Sequence, residues 1–486
     1  MIENNYAQLF DLFPNVSISE WEKAVKEDLK GCDFDKTLVW NTQEGFKIMP
    51  CYHNADVTNY KPEDLSPALF PFLRGTKTTN DWKICQDIVV NESKVANEIA
   101  ENAIKNGAEA VHFIFRSKVS KNSLSIILKN LDLNTFFYFT SPSNELLIAE
   151  FLSENSSIKT SINYDPVGYL SINGNYQNNE KDFSKTFRKL FNLFNSNGKL
   201  INISGNNFHN CGSSVIQELA LSLSVAVEYV HRLTDSGFKP EEIFNLMKFT
   251  FAVGNNYFFE IAKLRASRYL WSKIGASYNL KNEDCKMNIH SETSLWNMTK
   301  YDPHVNMLRA TTEAMSAIIG GTDSLSVNPY DIALKSQNEF SARFARNTQI
   351  VLKHESSLAQ VTDAAAGSYY IENLTNSIIE NAWNLFLEIE ENGGYLESFE
   401  KGIIQKMLSE TSSKRGSDIA LKNEKILGTN LYPNALEKIT DVDEKPEIYT
   451  VTKTDAIFKP LKLYRGAEVL EELRLKSEKI ENINLK

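Results

Sequence analysis

The chain has 486 residues, enough for two average domains or one large α/β barrel with extensions. With 42% hydrophobic and 23% charged residues it has the composition of a globular protein that buries a full core. A net charge of −10 argues against a general nucleic-acid binder, which carries a basic face, but leaves room for a local basic pocket.

Residues 1–80 read as an N-terminal extension. Within it EWEKAVKEDLKG (20–31) has the pattern of an amphipathic helix stopped at Gly31, and EGFKIMPCYHNAD (44–56) reads as extended chain. From Trp82 onward, short β-rich runs alternate with longer helical patterns. The predicted strands are WKICQDI (82–88), AVHFIF (110–115), TFFYF (135–139), TSINY (160–164), LINIS (200–204), TFAV (250–253), KMNIH (286–290) and SLSV (324–327). Helix starts are expected at Asn91-Glu92-Ser93, Ser143-Asn144-Glu145 and Asn338-Glu339, and stops at Asn106-Gly107 and Asn197-Gly198.

Eight strand–helix units in about 275 residues is the count and size of a (β/α)8 TIM barrel, placed here at 81–362. A doubly wound open sheet also reads as alternating β and α. Residues 363–439 read as a helical segment, with runs at 378–394 and 395–410. An acidic, proline-containing linker (440–448) then leads to a charged helix at 464–486 that is expected to face water on most sides. The fold class is therefore α/β, a barrel with an N-terminal extension and a C-terminal helical segment.

Five cysteines lie far apart with no C-x-x-C pair, which fits reduced thiols. The start, MIENNYAQLF, lacks a basic segment followed by an apolar one, so no secretory signal is read there. The most apolar helical run, 215–230, is interrupted by Gln217, Glu218 and Glu228 and is too polar to span a bilayer. A cytoplasmic protein with no membrane or nucleic-acid partner is expected.

Barrel function sits on the loops after the C-terminal strand ends. His209 follows the fifth predicted strand, His290 closes the seventh, Gln86 lies near the end of the first, and Asn328 lies just past the eighth. Four polar groups converging on one mouth would form a ligand pocket. The competing reading is that each only bonds neighbouring loop backbone. The two histidines have no metal-pair spacing, and no metal site is expected. Cys211 beside His209 lacks a third orienting group and does not read as a nucleophile. Gly320-Gly321 reads as a helix end rather than a phosphate loop. Arg343, Arg346, Asn347 and Gln349 cluster at a helix start, either to meet a phosphate or partner or as a solvated face.

Three blocks carry more specific information: GNNYFFEIAKLRASRYLWSKI from Gly254, RATTEAMSAIIGGTDSLSVNPYD from Arg309, and FSARFARNTQIVL ending at Leu352. With FLRGTKTTNDWKICQDI (72–88), HNCGSS (209–214), IHSETSLWNMT (289–299) and DPHVNMLRATTEAM (302–315), they resemble the barrel of the cobalamin-dependent acyl-CoA mutases. The resemblance covers roughly residues 15–470. It implies chemistry on a CoA thioester. Catalytic members interconvert (R)-methylmalonyl-CoA and succinyl-CoA, using a radical from adenosylcobalamin while the protein binds, orients and seals. In them the CoA chain threads the barrel axis.

The sequence departs from that pattern in four places. Arg74-Gly75 is followed by Thr76, Lys77, Thr78, Thr79 and Asn80, where catalytic members carry a tyrosine-bearing loop. No arginine lies between Arg116 and Arg188, where they hold the substrate carboxylate. Phe113, Phe115, Phe136, Phe137, Tyr138 and Phe139 crowd strands two and three, which favours a filled barrel over a tunnel. No D-x-H-x-x-G, the family's cobalt-ligating motif, is found, and the chain stops about where a cobalamin domain would begin.

These departures match the family's non-catalytic small subunits, which pair with a large catalytic subunit in a heterodimer. That implies no cofactor on this chain, adenosylcobalamin held through the partner, and an N-terminal extension that embraces it. Gln86, His209, His290 and Asn328 would then be a vestigial pocket with no catalytic residue among them. The rival implied by the same resemblance is a substrate-binding barrel of a split mutase, which would bind a CoA thioester. A standalone barrel enzyme of another class lacks the paired carboxylates, triad or metal cluster that would support it.

Overall fold

Strand runs too short and too apolar to stand alone, each followed by a helix with its own start signal, close into a ring in the computed structural model of the chain. The structure describes residues 16–56, 65–155, 157–194, 198–336, 338–439 and 456–484. The ring strands are β1 (Lys83–Val90), β2 (Ala110–Phe115), β3 (Phe136–Thr140), β4 (Thr160–Ile162), β5 (Ile201–Ser204), β6 (Met247–Val253), β7 (Ile289–Thr293) and β8 (Ser324–Ser326). They pair in parallel in the order β4-β3-β2-β1-β8-β7-β6-β5. A parallel bridge between Tyr164 and Ile201 joins the two ends. That closure makes the fold a (β/α)8 barrel and removes the open-sheet alternative.

All eight predicted strands are present, most within one or two residues of the expected bounds, and two differ by three. β6 starts at Met247, three residues before the predicted run, and so includes Lys248. β7 runs over Ile289–Thr293, three residues later than predicted, because its ladder starts where Phe249 pairs with Ile289. His290 therefore sits near the start of its strand, and Glu292 takes the place near the end.

The helix starts expected near Ser93, Glu145 and Glu339 are all observed, but of the three only the last carries a side-chain cap. Asn338 accepts from the Ser341 amide ahead of the helix Glu339–Ile350, and Gly107, at φ +96°, follows the helix Ser93–Lys105. Position 197 of the other expected stop, the linker at 440–448 and the opening residues 1–15 lie outside the described residues.

The chain divides into two compact units, with the boundary after Asp56. The first holds the helix Ile18–Asp28, opened by a Ser17–Glu20 capping box, and a two-stranded hairpin pairing Trp40 with Ile48. In the second, the helix Tyr369–Glu391 packs on Val215–Asp235 and Tyr257–Ser277. It is fixed there by buried Arg265, which meets Glu372 at 2.9 Å and Asp363 at 3.2 Å. The helical run expected at 395–410 is two helices, Gly394–Glu400 and Ile403–Ala420, separated at Gly402 with φ +79°.

The terminal helix, Glu468–Asn484, leaves much of its surface to water as expected, but one face of its first turns is docked. Arg465 turns back to bond Glu471 at 2.6 Å, both side chains being buried, and Arg474 lies 3.7 Å above the Tyr301 ring. One face of a charged helix is thus docked by its own arginines, whose apolar stems and flat heads pack well.

The barrel interior departs from a filled one. His112 and Ile114 line the interior from β2, so Phe113 alternates outward, where it stacks on Phe137 and Phe139 beneath the helices. Of the β3 aromatics only Phe136 and Tyr138 turn inward. They pack with Cys85 and Ala110 as a plug at the N-terminal end of the barrel. Above the plug an open cavity of about 660 Å³ remains. The aromatic crowding closes one end of the axis and leaves the other end open.

Candidate functional site: the barrel cavity

The cavity is lined by inward positions of six of the eight strands and by residues just past the ends of the other two, Asn163 after β4 and Val327 after β8, which is where parallel barrels place ligands. Barrel interiors are usually packed with branched aliphatic side chains. Here the inward positions carry Asp87, His112, Thr140, Asn163, Asn202, Lys248, Thr250, His290 and Glu292.

The polar groups on β1 to β4 bond one another. His112 Nδ1 faces Asp87 Oδ1 at 3.2 Å, and Ser326 Oγ donates to the same oxygen at 2.7 Å. His112 Nε2 lies 2.8 Å from Thr140 Oγ1 and 3.2 Å from Asn163 Nδ2. A proton on Nδ1 satisfies every contact: Nδ1–H donates to Asp87, and Nε2 accepts. Burial works to raise the Asp87 pKa, but its interaction with His112, electrostatic and by hydrogen bond, outweighs burial and holds the carboxyl at about 2.

Across the cavity, β6 and β7 carry groups with fewer partners. Burial pushes the Lys248 amine down to about 8. Its Nζ lies 4.5 Å above the Tyr138 ring, and among the described residues it makes no hydrogen bond or ion pair. Glu292 is pushed up to about 7 by burial and by Asp87, although Asn206 Nδ2 donates to it at 2.8 Å. His290 Nδ1 bonds Ser324 Oγ at 2.8 Å, while its buried Nε2, 3.8 Å from Glu292 Oε1, has no hydrogen-bond partner among the described residues. Burial and Lys248 together hold the His290 pKa well below its usual value.

Three of the four residues singled out from the sequence border this cavity. His290 does so from the interior of β7. Asn328 does so from the loop after β8, where its amide nitrogen donates to the Thr293 carbonyl at 2.5 Å. Gln86 lies on the outer face of β1, and its Oε1 accepts from Arg346 Nη1 at 2.6 Å. Arg346 is therefore buried as a strut between helix and strand, not part of a solvated face. Gln349 is likewise buried, accepting from the Trp82 indole at 3.3 Å, and Arg343 alone of the two arginines is exposed.

His209 does not border the cavity. It sits in the short helix Gly205–Asn210, with Nε2 2.7 Å from Ser294 Oγ and Nδ1 3.5 Å from Glu218 Oε2. Glu218 in turn pairs with Lys263 at 2.7 Å, and Lys263 with Glu260 at 2.6 Å, all buried. The helix can settle this deep because Gly254 leaves room: a Cβ there would stand 3.0 Å from His209 Cε1. The family-like RG segment is also committed to structure. Arg74 bonds Asp363 at 3.2 Å and the Leu65 carbonyl at 3.0 Å.

Asp87, His112, Asn163, Lys248 and Glu292 were not singled out from the sequence. Their signal was a charged or amide side chain inside an otherwise apolar strand. For Lys248 and Glu292 it was hidden by strand bounds drawn three residues short. Among the described residues no cluster of three metal-ligating side chains occurs, and no helix is long and apolar enough to cross a membrane.

Fold and site together define a (β/α)8 barrel protein with a ligand-sized polar cavity open at the C-terminal end of its strands. Comparison with known proteins narrows this. The family model for methylmalonyl-CoA mutase matches residues 41–121 and 149–477. The chain belongs to the methylmalonyl-CoA mutase family. It is 37% identical over 492 residues to a methylmalonyl-CoA mutase small subunit of Porphyromonas gingivalis, covering 97% of this chain and 78% of that one. It is 28% identical over 461 residues to a small subunit from Streptomyces virginiae, covering 89% and 73%. Against a methylmalonyl-CoA mutase of Cereibacter sphaeroides it is 30% identical over 473 residues, covering 88% of this chain but 66% of that one.

The family is cobalamin-dependent, and a histidine with a free ring nitrogen would be needed to hold the cobalt. His112 is backed by Asp87, but its Nε2 already accepts from Thr140 or Asn163 inside the barrel and is not free for a metal. His209, which faces Glu218, has both ring nitrogens engaged. His290 has its Nδ1 on Ser324 and its Nε2 3.8 Å from Glu292 Oε1, buried inside the barrel. None of these histidines fits the cofactor.

Proposed function

We propose that this chain is the small, non-catalytic subunit of a heterodimeric methylmalonyl-CoA mutase. In this reading it supports a large subunit that isomerises (R)-methylmalonyl-CoA and succinyl-CoA, and adenosylcobalamin is held in the complex by that partner. The observation that carries the reading is the sequestration of His209. In a barrel enzyme the residue after β5 belongs at the mouth, yet both nitrogens of this ring face protein groups away from the cavity. The commitment of Arg74 to Asp363, and the names of the two small-subunit relatives, support the same assignment.

Co-expression with the matching large subunit tests it. A stable one-to-one complex is expected on size exclusion, with turnover unchanged when Arg116 or Lys335 at the cavity rim of this chain is replaced by alanine. A chain that stays monomeric beside its large subunit would overturn the reading.

The cavity favours one alternative, a substrate-binding barrel of a split adenosylcobalamin-dependent acyl-CoA mutase. Calorimetric titration of the isolated chain with methylmalonyl-CoA separates the two. Saturable binding at micromolar concentration supports the split enzyme, and no heat of binding supports the scaffold.

A further inference from the structure

The geometry points to Lys248 as a nucleophilic amine at the floor of the barrel cavity, able to capture a small hydroxylated aldehyde or ketone as an imine. The inference does not depend on the subunit role proposed above, because it concerns a site inside this chain alone.

Four observations converge. First, Lys248 projects from β6 into an open cavity of about 660 Å³ although its side chain is almost fully buried, at 2% exposure. Second, among the described residues the amine has no anchoring partner. A buried lysine is normally neutralised by a carboxylate, and Lys263 in this same chain shows that arrangement with Glu218 and Glu260. Lys248 instead rests over the face of Tyr138. Third, the groups that face it from neighbouring strands are Cys85 and Asp87 on β1, Tyr138 on β3, and His290 and Glu292 on β7. Asp87 is already bonded to His112 and Ser326, so it does not lock the ammonium form. Fourth, polar atoms at the cavity wall lack hydrogen-bond partners among the described residues. His290 Nε2, Asn163 Oδ1 and Asn206 Oδ1 are all in this state, and they suit hydroxyl groups on a short polar ligand.

A desolvated lysine without an ion pair is the form of the residue that acts as a nucleophile on carbonyl carbon. Burial favours the neutral amine. The lowered pKa of about 8 raises the free-amine fraction near neutral pH. Relative to an ordinary lysine the gain is on the order of a hundredfold.

The step balances without an oxidant or a second reactant. The nitrogen lone pair forms the C–N bond as the carbonyl π pair moves to oxygen. That oxygen takes a proton from the Glu292 carboxylic acid, and the nitrogen loses one, giving a neutral carbinolamine. The hydroxyl then leaves as water, carrying a proton, while the remaining nitrogen proton is released and the C=N bond forms. Glu292 suits the proton transfers because it lines the same cavity and titrates at about 7.

Reductive trapping on the full chain tests the proposal. The protein is incubated with glycolaldehyde and sodium cyanoborohydride at pH 7.5, and the label is placed by peptide mapping. One predominant adduct is expected, on Lys248, with about tenfold or greater preference over exposed lysines such as Lys94. Lys248→Arg should abolish it, since guanidinium stays protonated. Glu292→Gln should slow it about tenfold or more. Circular dichroism shows whether each variant is folded. If Lys248→Arg does not fold, the wild-type peptide map alone decides. Label spread over surface lysines with Lys248 unmodified would overturn the proposal, as would an adduct rate unchanged in a folded Glu292→Gln protein.

Discussion

His209 Nε2 and Ser294 Oγ stand 2.7 Å apart, across the gap between the loops that leave β5 and β7. This bond turns the imidazole away from the barrel axis and ties two loops together at the mouth. The other ring nitrogen faces Glu218, which is pinned by Lys263. A histidine at a position expected to serve a ligand has become part of the frame.

Replacing His209 by alanine should therefore act on stability and not on the chemistry of a complex. Losing a buried hydrogen bond and leaving Ser294 and the near face of Glu218 short of a partner costs about 1–3 kcal/mol. Urea denaturation should show that loss, while turnover of the complex with the large subunit stays within about twofold. A fall in turnover without a fall in stability would assign His209 to the active machinery.

Lys263 offers a harsher test. Its ammonium pairs with Glu218 and Glu260 and donates to the Ala252 carbonyl, all in the interior. Burial works to lower its pKa, but the two carboxylates outweigh burial and raise it. Lys263→Met keeps the length of the side chain and removes the charge, leaving two carboxylates facing each other in a dry site. A cost of about 3–5 kcal/mol is expected by chemical denaturation. Adding Glu218→Gln in the same chain should recover part of it, since one stranded charge is then gone.

Much of the barrel was readable because several helices have clear start or stop residues, as at Asn338 and Gly107, and each strand a β-rich run. What was not readable is which face of a strand turns inward. Parallel strands buried on both faces read as continuous apolar runs, so FFYFT carries no alternation to mark Tyr138 as inward and Phe137 as outward. The cavity groups Lys248 and Glu292 fell outside strands drawn too short. The fate of His209 rests on Glu218 and Lys263, whose pairing links positions 45 residues apart and leaves no local pattern.

Gly212 tests how tightly the His209 loop is clasped from outside. Its φ of +84° already disfavours any other residue. A Cβ there would also lie 2.8 Å from the Trp296 ring and 2.9 Å from Ser412 Cβ. Gly212→Ala must shift either the indole, which Arg415 covers at 4.1 Å, or the helix Ile403–Ala420. A loss of about 2–4 kcal/mol is expected in thermal or urea melts. A variant as stable as the parent would show that this clasp is looser than drawn.

Glu313 gives the chain a pH-dependent stability whose sign can be worked out. It is buried on the helix Val305–Ile319, where its two oxygens accept from the Ser294 amide at 3.1 Å and from Asn297 Nδ2 at 2.8 Å. Burial raises its pKa from an ordinary 4.5 to about 8, more than those two bonds lower it. Between these values the native state holds a proton that the unfolded chain has released. Stability then falls as pH rises from about 4.5 to about 8 and levels off above the folded pKa. Glu145, raised to about 7 by burial, adds a slope of the same sign over a shorter window. Glu313→Gln holds the group neutral at every pH, and the Asn297 amide can turn over to meet the new NH2. Urea midpoints measured from pH 5 to 9 should decline less steeply in the variant than in the parent, with the two curves diverging most near pH 8 and above. Parallel curves would mean that Glu313 is already ionised in the folded chain and that its bonds to Ser294 and Asn297 outweigh burial.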